Sequence, residues 1–137
     1  MKPVLFACCA LLVLSAGCDS GTEPSELNDT VLTLQDAVLP ASSGVTVLTP
    51  STITLDSKGR INVTSCNSCQ GTYAWDSNEL VVTGLGCTEI ACGERLDLGD
   101  WLVADRVVAS DANDENLTLV AERDGELATF LFEVADP

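Results

Sequence analysis

Thr52-Ile53-Thr54-Leu55-Asp56-Ser57-Lys58-Gly59-Arg60-Ile61-Asn62-Val63 decides the fold class. Polar and apolar residues alternate on either side of a four-residue group suited to reversing the chain, so Ile53, Leu55, Ile61 and Val63 fall on one face of a hairpin. Moving outward, Gly71-Thr72-Tyr73-Ala74-Trp75 and Leu80-Val81-Val82-Thr83 flank Asp76-Ser77-Asn78, whose short polar side chains favour a turn. Leu117-Thr118-Leu119-Val120-Ala121 and Ala128-Thr129-Phe130-Leu131-Phe132-Glu133-Val134 flank Asp124-Gly125, the strongest hairpin signal in the chain. From Val31 onward this rhythm predicts a mainly β (α+β) domain, a small antiparallel β-sheet or barrel-like structure of about six strands.

One segment follows a different period. Leu98, Trp101, Leu102 and Asp105 are spaced as one face of a helix, which predicts a single short helix over residues 94–104, weakened by Gly99 at about 1 kcal/mol relative to alanine.

The front of the chain reads as an address. Met1-Lys2 precedes an apolar run of 11 residues from Val4 to Leu14, shorter than the ~20 residues needed to span a bilayer. Leu14-Ser15-Ala16-Gly17-Cys18 then resembles the lipobox of bacterial lipoproteins. That resemblance implies a signal peptide over residues 1–17 and a diacylglyceryl thioether on Cys18, so that the partner of this end is the membrane, through several acyl chains at ~0.8 kcal/mol per buried methylene. Asp19-Ser20-Gly21-Thr22-Glu23-Pro24-Ser25-Glu26 has the composition of a tether, read over residues 18–30, with the domain over 31–137. The expected location is the cell envelope, on a periplasmic or extracellular face.

Composition excludes several function classes. The formal charge is −15, and Lys2 is the only charged residue ahead of Cys18. The remainder carries five basic and 21 acidic side chains, which disfavours nucleic acid, because binding phosphates relies on Lys and Arg displacing counterions. Histidine is absent, which removes Ser-His and Cys-His nucleophiles and every His-containing metal site. Scattered Asp and Glu show no paired spacing, so no catalytic residue and no cofactor is assigned.

Beyond Cys18 the cysteines are Cys66, Cys69, Cys87 and Cys92. A zinc ribbon would need tighter spacing in the second pair, and a redox CxxC motif usually opens a helix in an α/β fold, whereas here a hairpin follows. Two disulfides fit an exported domain with a modest core. Four cysteines allow three connectivities, and extending the hairpin around residues 76–79 backwards in register favours Cys69 with Cys87 and Cys66 with Cys92. The run Asp111-Ala112-Asn113-Asp114-Glu115-Asn116 has alternating oxygen ligands, but Asn116 stands where an EF-hand needs glycine, so an acidic inter-strand turn is preferred to a calcium loop. Three N-x-T sequons, at Asn28, Asn62 and Asn116, receive no role in a chain with a bacterial anchor motif.

Gly59-Arg60-Ile61, Cys66-Asn67, Gly71-Thr72-Tyr73, Leu80 and Cys87-Thr88-Glu89-Ile90-Ala91-Cys92, followed by a helix and two closing strands, resemble a META domain of the HslJ-like kind over residues 45–134. The most specific part is Cys-Asn, then Gly-x-Tyr, then Thr-x-x-Ala-Cys. The front departs from the pattern, offering Val31-Leu32-Thr33-Leu34 where such domains often begin with a Trp-containing strand. The resemblance implies a compact β structure with one helix, frequent in envelope lipoproteins, associated in some members with stress and drug tolerance, and without an established catalytic centre. Asn67, Gly71, Tyr73 and Thr88 are read as its structural motif, Asn67 and Thr88 bonding backbone where the cysteine segments meet. The leading functional expectation is a non-enzymatic envelope protein that binds or protects another envelope component. The alternatives are an inhibitor of an extracellular hydrolase such as a lysozyme, and a carrier holding a small apolar ligand inside the barrel.

Overall fold

The computed structural model describes residues 24–137; the signal peptide and Cys18 read from the sequence lie outside the described residues. Eight antiparallel strands form a closed barrel in which each strand pairs with its sequence neighbour and the last returns to the first. They are β1 (Thr30–Val38), β2 (Thr52–Leu55), β3 (Arg60–Thr64), β4 (Ser68–Asp76), β5 (Glu79–Cys87), β6 (Arg106–Ala112), β7 (Asn116–Arg123) and β8 (Glu126–Ala135), with one helix, α1 (Leu98–Leu102), between β5 and β6.

Alternation along the strands puts the apolar set inside. Ile53 and Leu55 of β2, Ile61 and Val63 of β3, Leu117, Leu119 and Ala121 of β7, and Ala128, Phe130 and Phe132 of β8 are all buried. The Asp124-Gly125 hairpin has both central residues at positive φ, 53° and 78°, as a type I′ turn requires, and it pairs eight residues of β7 with β8 without a shift. The β2–β3 turn is held by Asp56, whose Oδ1 accepts from the Lys58 and Arg60 amides at 2.9 Å each. These bonds, the Arg60 amide foremost, and the Arg60 guanidinium hold the Asp56 carboxyl below its ordinary range.

Three expectations change. The strands number eight among the described residues rather than about six, and three of them follow the helix rather than two. The added β6 has a mixed burial pattern, burying Val107 and Ala109 but bulging before Asp111, so its alternation is short. The helix spans five residues rather than 94–104, because Glu94 belongs to a turn closed by the Arg95 amide on the Cys92 carbonyl and the chain then bridges to residue 47. The Thr46 and Val47 amides donate to the Glu94 carbonyl and the Leu96 amide donates to the Val47 carbonyl. The packed domain also starts ahead of Val31. Leu27 and Thr30 are buried, so the tether read over 18–30 overlaps the fold at its end.

The barrel is thinnest between β5 and β6, which share one register pair, Glu79 with Val108, backed by a 2.7 Å bond from the Ala109 amide to the Asn78 carbonyl. The long β5–β6 connection carries α1 across this weak side, and Leu96, Leu98, Trp101 and Leu102 from it join the core. Trp101 meets Phe130 edge-on at 6.1 Å between centroids, and the Arg123 guanidinium lies 4.0 Å from the centroid of its ring.

Truncating Trp101 to alanine removes the largest side chain of this plug and should cost about 3–5 kcal/mol, read as a lower urea midpoint at unchanged slope. Gly99→Ala gives the opposite of what helix propensity alone predicts. A Cβ there would lie 2.7 Å from Cys69 Sγ and 3.3 Å from Cys87 Sγ, both fixed in one disulfide. The variant should melt below the parent although alanine is the better helix former, with a smaller deficit once the disulfide is reduced.

Candidate functional site

Both disulfides close one end of the β4–β5 ribbon. Cys69 and Cys87 are direct cross-strand partners, and Cys66 joins Cys92 on the loop beyond β5. The pairing is the one favoured by the extended hairpin register, and it leaves none of the four as a thiolate for zinc. Gly71 sits between the inward-facing Cys69 and Tyr73, at the shift in the β4–β5 register, where an added Cβ would lie 3.0 Å from the Thr83 carbonyl oxygen and 3.1 Å from Leu85 Cα. A glycine there is a packing requirement of the two strands.

Asn67 is the hub between the bridges. It is 6% exposed, its Oδ1 accepts from the Ile90 amide at 2.7 Å and from the Thr88 hydroxyl at 2.9 Å, and its Nδ2 donates to Asp97 Oδ2 at 2.7 Å and towards the Ile90 carbonyl at 3.1 Å. The Thr88 hydroxyl in turn accepts from the Ser68 amide at 3.1 Å. One amide side chain thereby occupies both backbone groups of Ile90, the geometry by which a short segment is held without joining a strand.

Two members of this network escaped the sequence reading. Asp97 precedes α1 and takes the Asn67 amide, while Ser65 reaches from the β3–β4 connection to accept from the Leu98 amide at 3.0 Å and donate to the Leu96 carbonyl at 3.1 Å. The helix start is thus satisfied by a hydroxyl 33 residues away in sequence, and Asp97 makes no side-chain cap bond. Spacing along the chain carries no signal for such partners.

A groove of about 420 Å³ opens beside the loop, lined in part by Glu89, Ile90, Asp97 and Asp100. Burial and, after it, the nearby Asp97 charge push the Asp100 carboxyl up, against a smaller opposing effect of Arg123. A second, larger concavity of about 640 Å³ lies over β3, β4 and β5 and is lined by uncharged groups including Asn62, Thr64, Ser68 and Gln70.

Tyr73 serves the opposite end of the barrel. Its hydroxyl lies 2.7 Å from Asn28 Oδ1 and 2.7 Å from the Asp56 carbonyl, tying the β2–β3 turn to the chain leading into β1. Burial first, then the charges of Asp56 and Asp29, push its phenol up from 10.0. The acidic run at 111–116 covers the end of β6, the connection at 113–115 and the first residue of β7, and in it Asn113 Oδ1 accepts from the Glu115 and Asn116 amides at 2.9 and 2.8 Å. Among the described residues no three of Cys, Asp and Glu are arranged to hold a metal ion.

Asn67→Ala should cost about 2–4 kcal/mol in urea unfolding, since the Ile90 amide and carbonyl and the Asp97 carboxylate all lose their partner in partial burial. Asn67→Asp loses the Nδ2 donor and places a second carboxylate against Asp97, so at pH 7 it should cost at least as much as Asn67→Ala in the same measurement. For Asp100 the folded-state pKa lies above the unfolded value. Its contribution therefore favours folding below the unfolded pKa and is lost as pH rises through the folded one. Asp100→Asn should accordingly raise the melting temperature at pH 7 and leave it unchanged below pH ~3, which a pair of thermal scans decides.

The comparisons with known proteins agree with this architecture. A solved NMR structure of a protein from Burkholderia xenovorans is 25% identical over 82% of this chain and 86% of its own, with a TM-score of 0.54. No functionally curated protein matches the chain. The sequence model of the META domain matches residues 25–132, which takes in the β1 segment that departs from the expected front and starts close to the buried Leu27. The chain belongs to the META domain family.

Proposed function

We propose that this META domain is a non-catalytic recognition module, tethered in the cell envelope by lipid on Cys18, that binds or protects another envelope component through its outer surface, in the stress-related setting its family implies. The observation that carries the reading is the filled barrel: Leu32, Ile53, Leu55, Ile61, Phe130 and Phe132 occupy the interior at 0–1% exposure, so recognition falls to the outside. Two disulfides suit an oxidising compartment. The lipobox-like Leu14-Ser15-Ala16-Gly17-Cys18 supplies the tether.

Of the other readings, the apolar carrier loses its chamber to these same side chains. Inhibition of an extracellular hydrolase gains a specific feature, the loop of residues 88–92 braced by both disulfides beside an acidic groove, which suits a cationic target such as a lysozyme.

Metabolic labelling with a clickable fatty acid should mark the chain in membranes, and Cys18→Ser should abolish the label and release the protein from the membrane fraction; an unlabelled, soluble parent chain would refute the anchor. Affinity capture from the native envelope, with the anchor replaced by a tag, should retain one specific component that elutes as salt is raised. Purified domain added to lysozyme at equimolar and higher ratios should slow cell-wall lysis if the inhibitor reading holds.

A further inference from the structure

The loop of residues 88–92 is unusual in being fixed by contacts that leave its central side chain outward. Cys87 and Cys92 tie both ends to the barrel, and Asn67 occupies the amide and the carbonyl of Ile90. Thr88 donates its amide to the Ser68 carbonyl, and the Arg95 side chain donates to the carbonyls of Ala91 and Cys92 at 3.2 Å each. The loop's conformation is therefore set before any partner arrives. Ile90 nevertheless stays 56% exposed, a large aliphatic group whose own backbone amide and carbonyl are already bonded to Asn67.

Such a segment binds with little ordering cost, and an aliphatic side chain at its tip supplies the desolvation that anchors a protein interface. The surroundings select the partner. Beside Ile90 the groove is lined by the carboxylates of Glu89, Asp97 and Asp100 and by no Lys or Arg, Arg123 reaching the Asp100 carbonyl at 3.4 Å, on a chain of net charge −15. The Arg95 guanidinium donates to the loop's own carbonyls and lies outside the lining of the groove. An acidic partner or an anionic membrane surface meets repulsion here, whereas a basic protein gains both steering and contact.

We propose that residues 88–92 form a pre-organised recognition loop that places Ile90 in an apolar pocket of a cationic protein, whose basic side chains enter the acidic groove alongside. This rests on the reading of the domain as a surface-binding module, and it names the contact and the chemistry of the partner.

A photoreactive phenylalanine placed at position 90 of the full chain, in its native cells, tests it against the same residue at position 127, an equally exposed apolar site on β8. Irradiation should join position 90, and not 127, to a basic protein. The adduct should fall at least tenfold when isolated membranes are irradiated at ~1 M rather than ~0.1 M salt, where the screening length shortens from ~10 to ~3 Å. Against that identified protein, Ile90→Asp should weaken Kd by about tenfold or more, the scale of losing an interface anchor, while Leu127→Asp leaves it unchanged and both variants melt with the parent. An adduct with an acidic protein, or one indifferent to salt, overturns the cationic partner. Adducts from 127 alone, or equally from both, overturn the loop while leaving surface binding intact. No adduct from either position, together with an empty affinity capture, overturns the loop and the binding reading together.

Discussion

The return of β8 to β1 is the constraint on which the barrel depends. Seven register pairs join them, from Val31 with Ala135 to Val38 with Thr129. Without that pairing two strand edges would stand open, one at each end of the sheet, and the inner faces that now meet around Phe130 and Phe132 would lie against water. The bulge between Leu34 and Asp36 is part of the same solution. It returns Ala37 to the inside opposite Phe130 and turns Asp36 and Val38 outward, so a strand with one residue too many for strict alternation still closes the circle.

Closure on one side makes the weakness on the other tolerable. β5 faces β6 through a single register pair, and α1 with Leu96 supplies the apolar surface that a longer ladder would otherwise have covered. The disulfides stand beside this seam rather than at the well-paired β7–β8 hairpin. Cys69–Cys87 fixes the far end of β5, and the absence of a side chain at Gly99 lets α1 rest against its sulfurs. Each bridge contributes roughly 2–4 kcal/mol, at the end of β5 remote from its single register pair with β6.

How much of this could be read from the residues follows from the range of the interactions. The hairpins around Asp56, Asp76 and Asp124 were legible because turn chemistry and alternation lie within a dozen residues, and the disulfide register followed by extending one of them. The eighth strand was not. β6 alternates over only three residues before its bulge, and its identity comes from the ladder to β7. The helix was placed too long because a spacing that begins at Leu98 was extended back to residue 94, whereas residues 94–96 are held by bonds to Thr46 and Val47, in a segment that no local pattern links to them. At the candidate site, Asn67 and Thr88 were legible through the family motif, whereas Ser65 and Asp97 enter through bonds spanning 33 and 30 residues.

The Asn67 network also explains why a motif rich in polar groups is better understood as scaffold than as reaction centre. Its Oδ1 receives two donors and its Nδ2 protons are directed to Asp97 and the Ile90 carbonyl, so its capacity is used within the fold. A catalytic amide would need a donor or acceptor turned towards substrate. What the network delivers instead is position: a backbone held from beneath, two covalent anchors beside it and an aliphatic side chain facing out. Asn67 and Thr88 thus act on the fold itself, and the side chain of Ile90 stands outside the frame they hold.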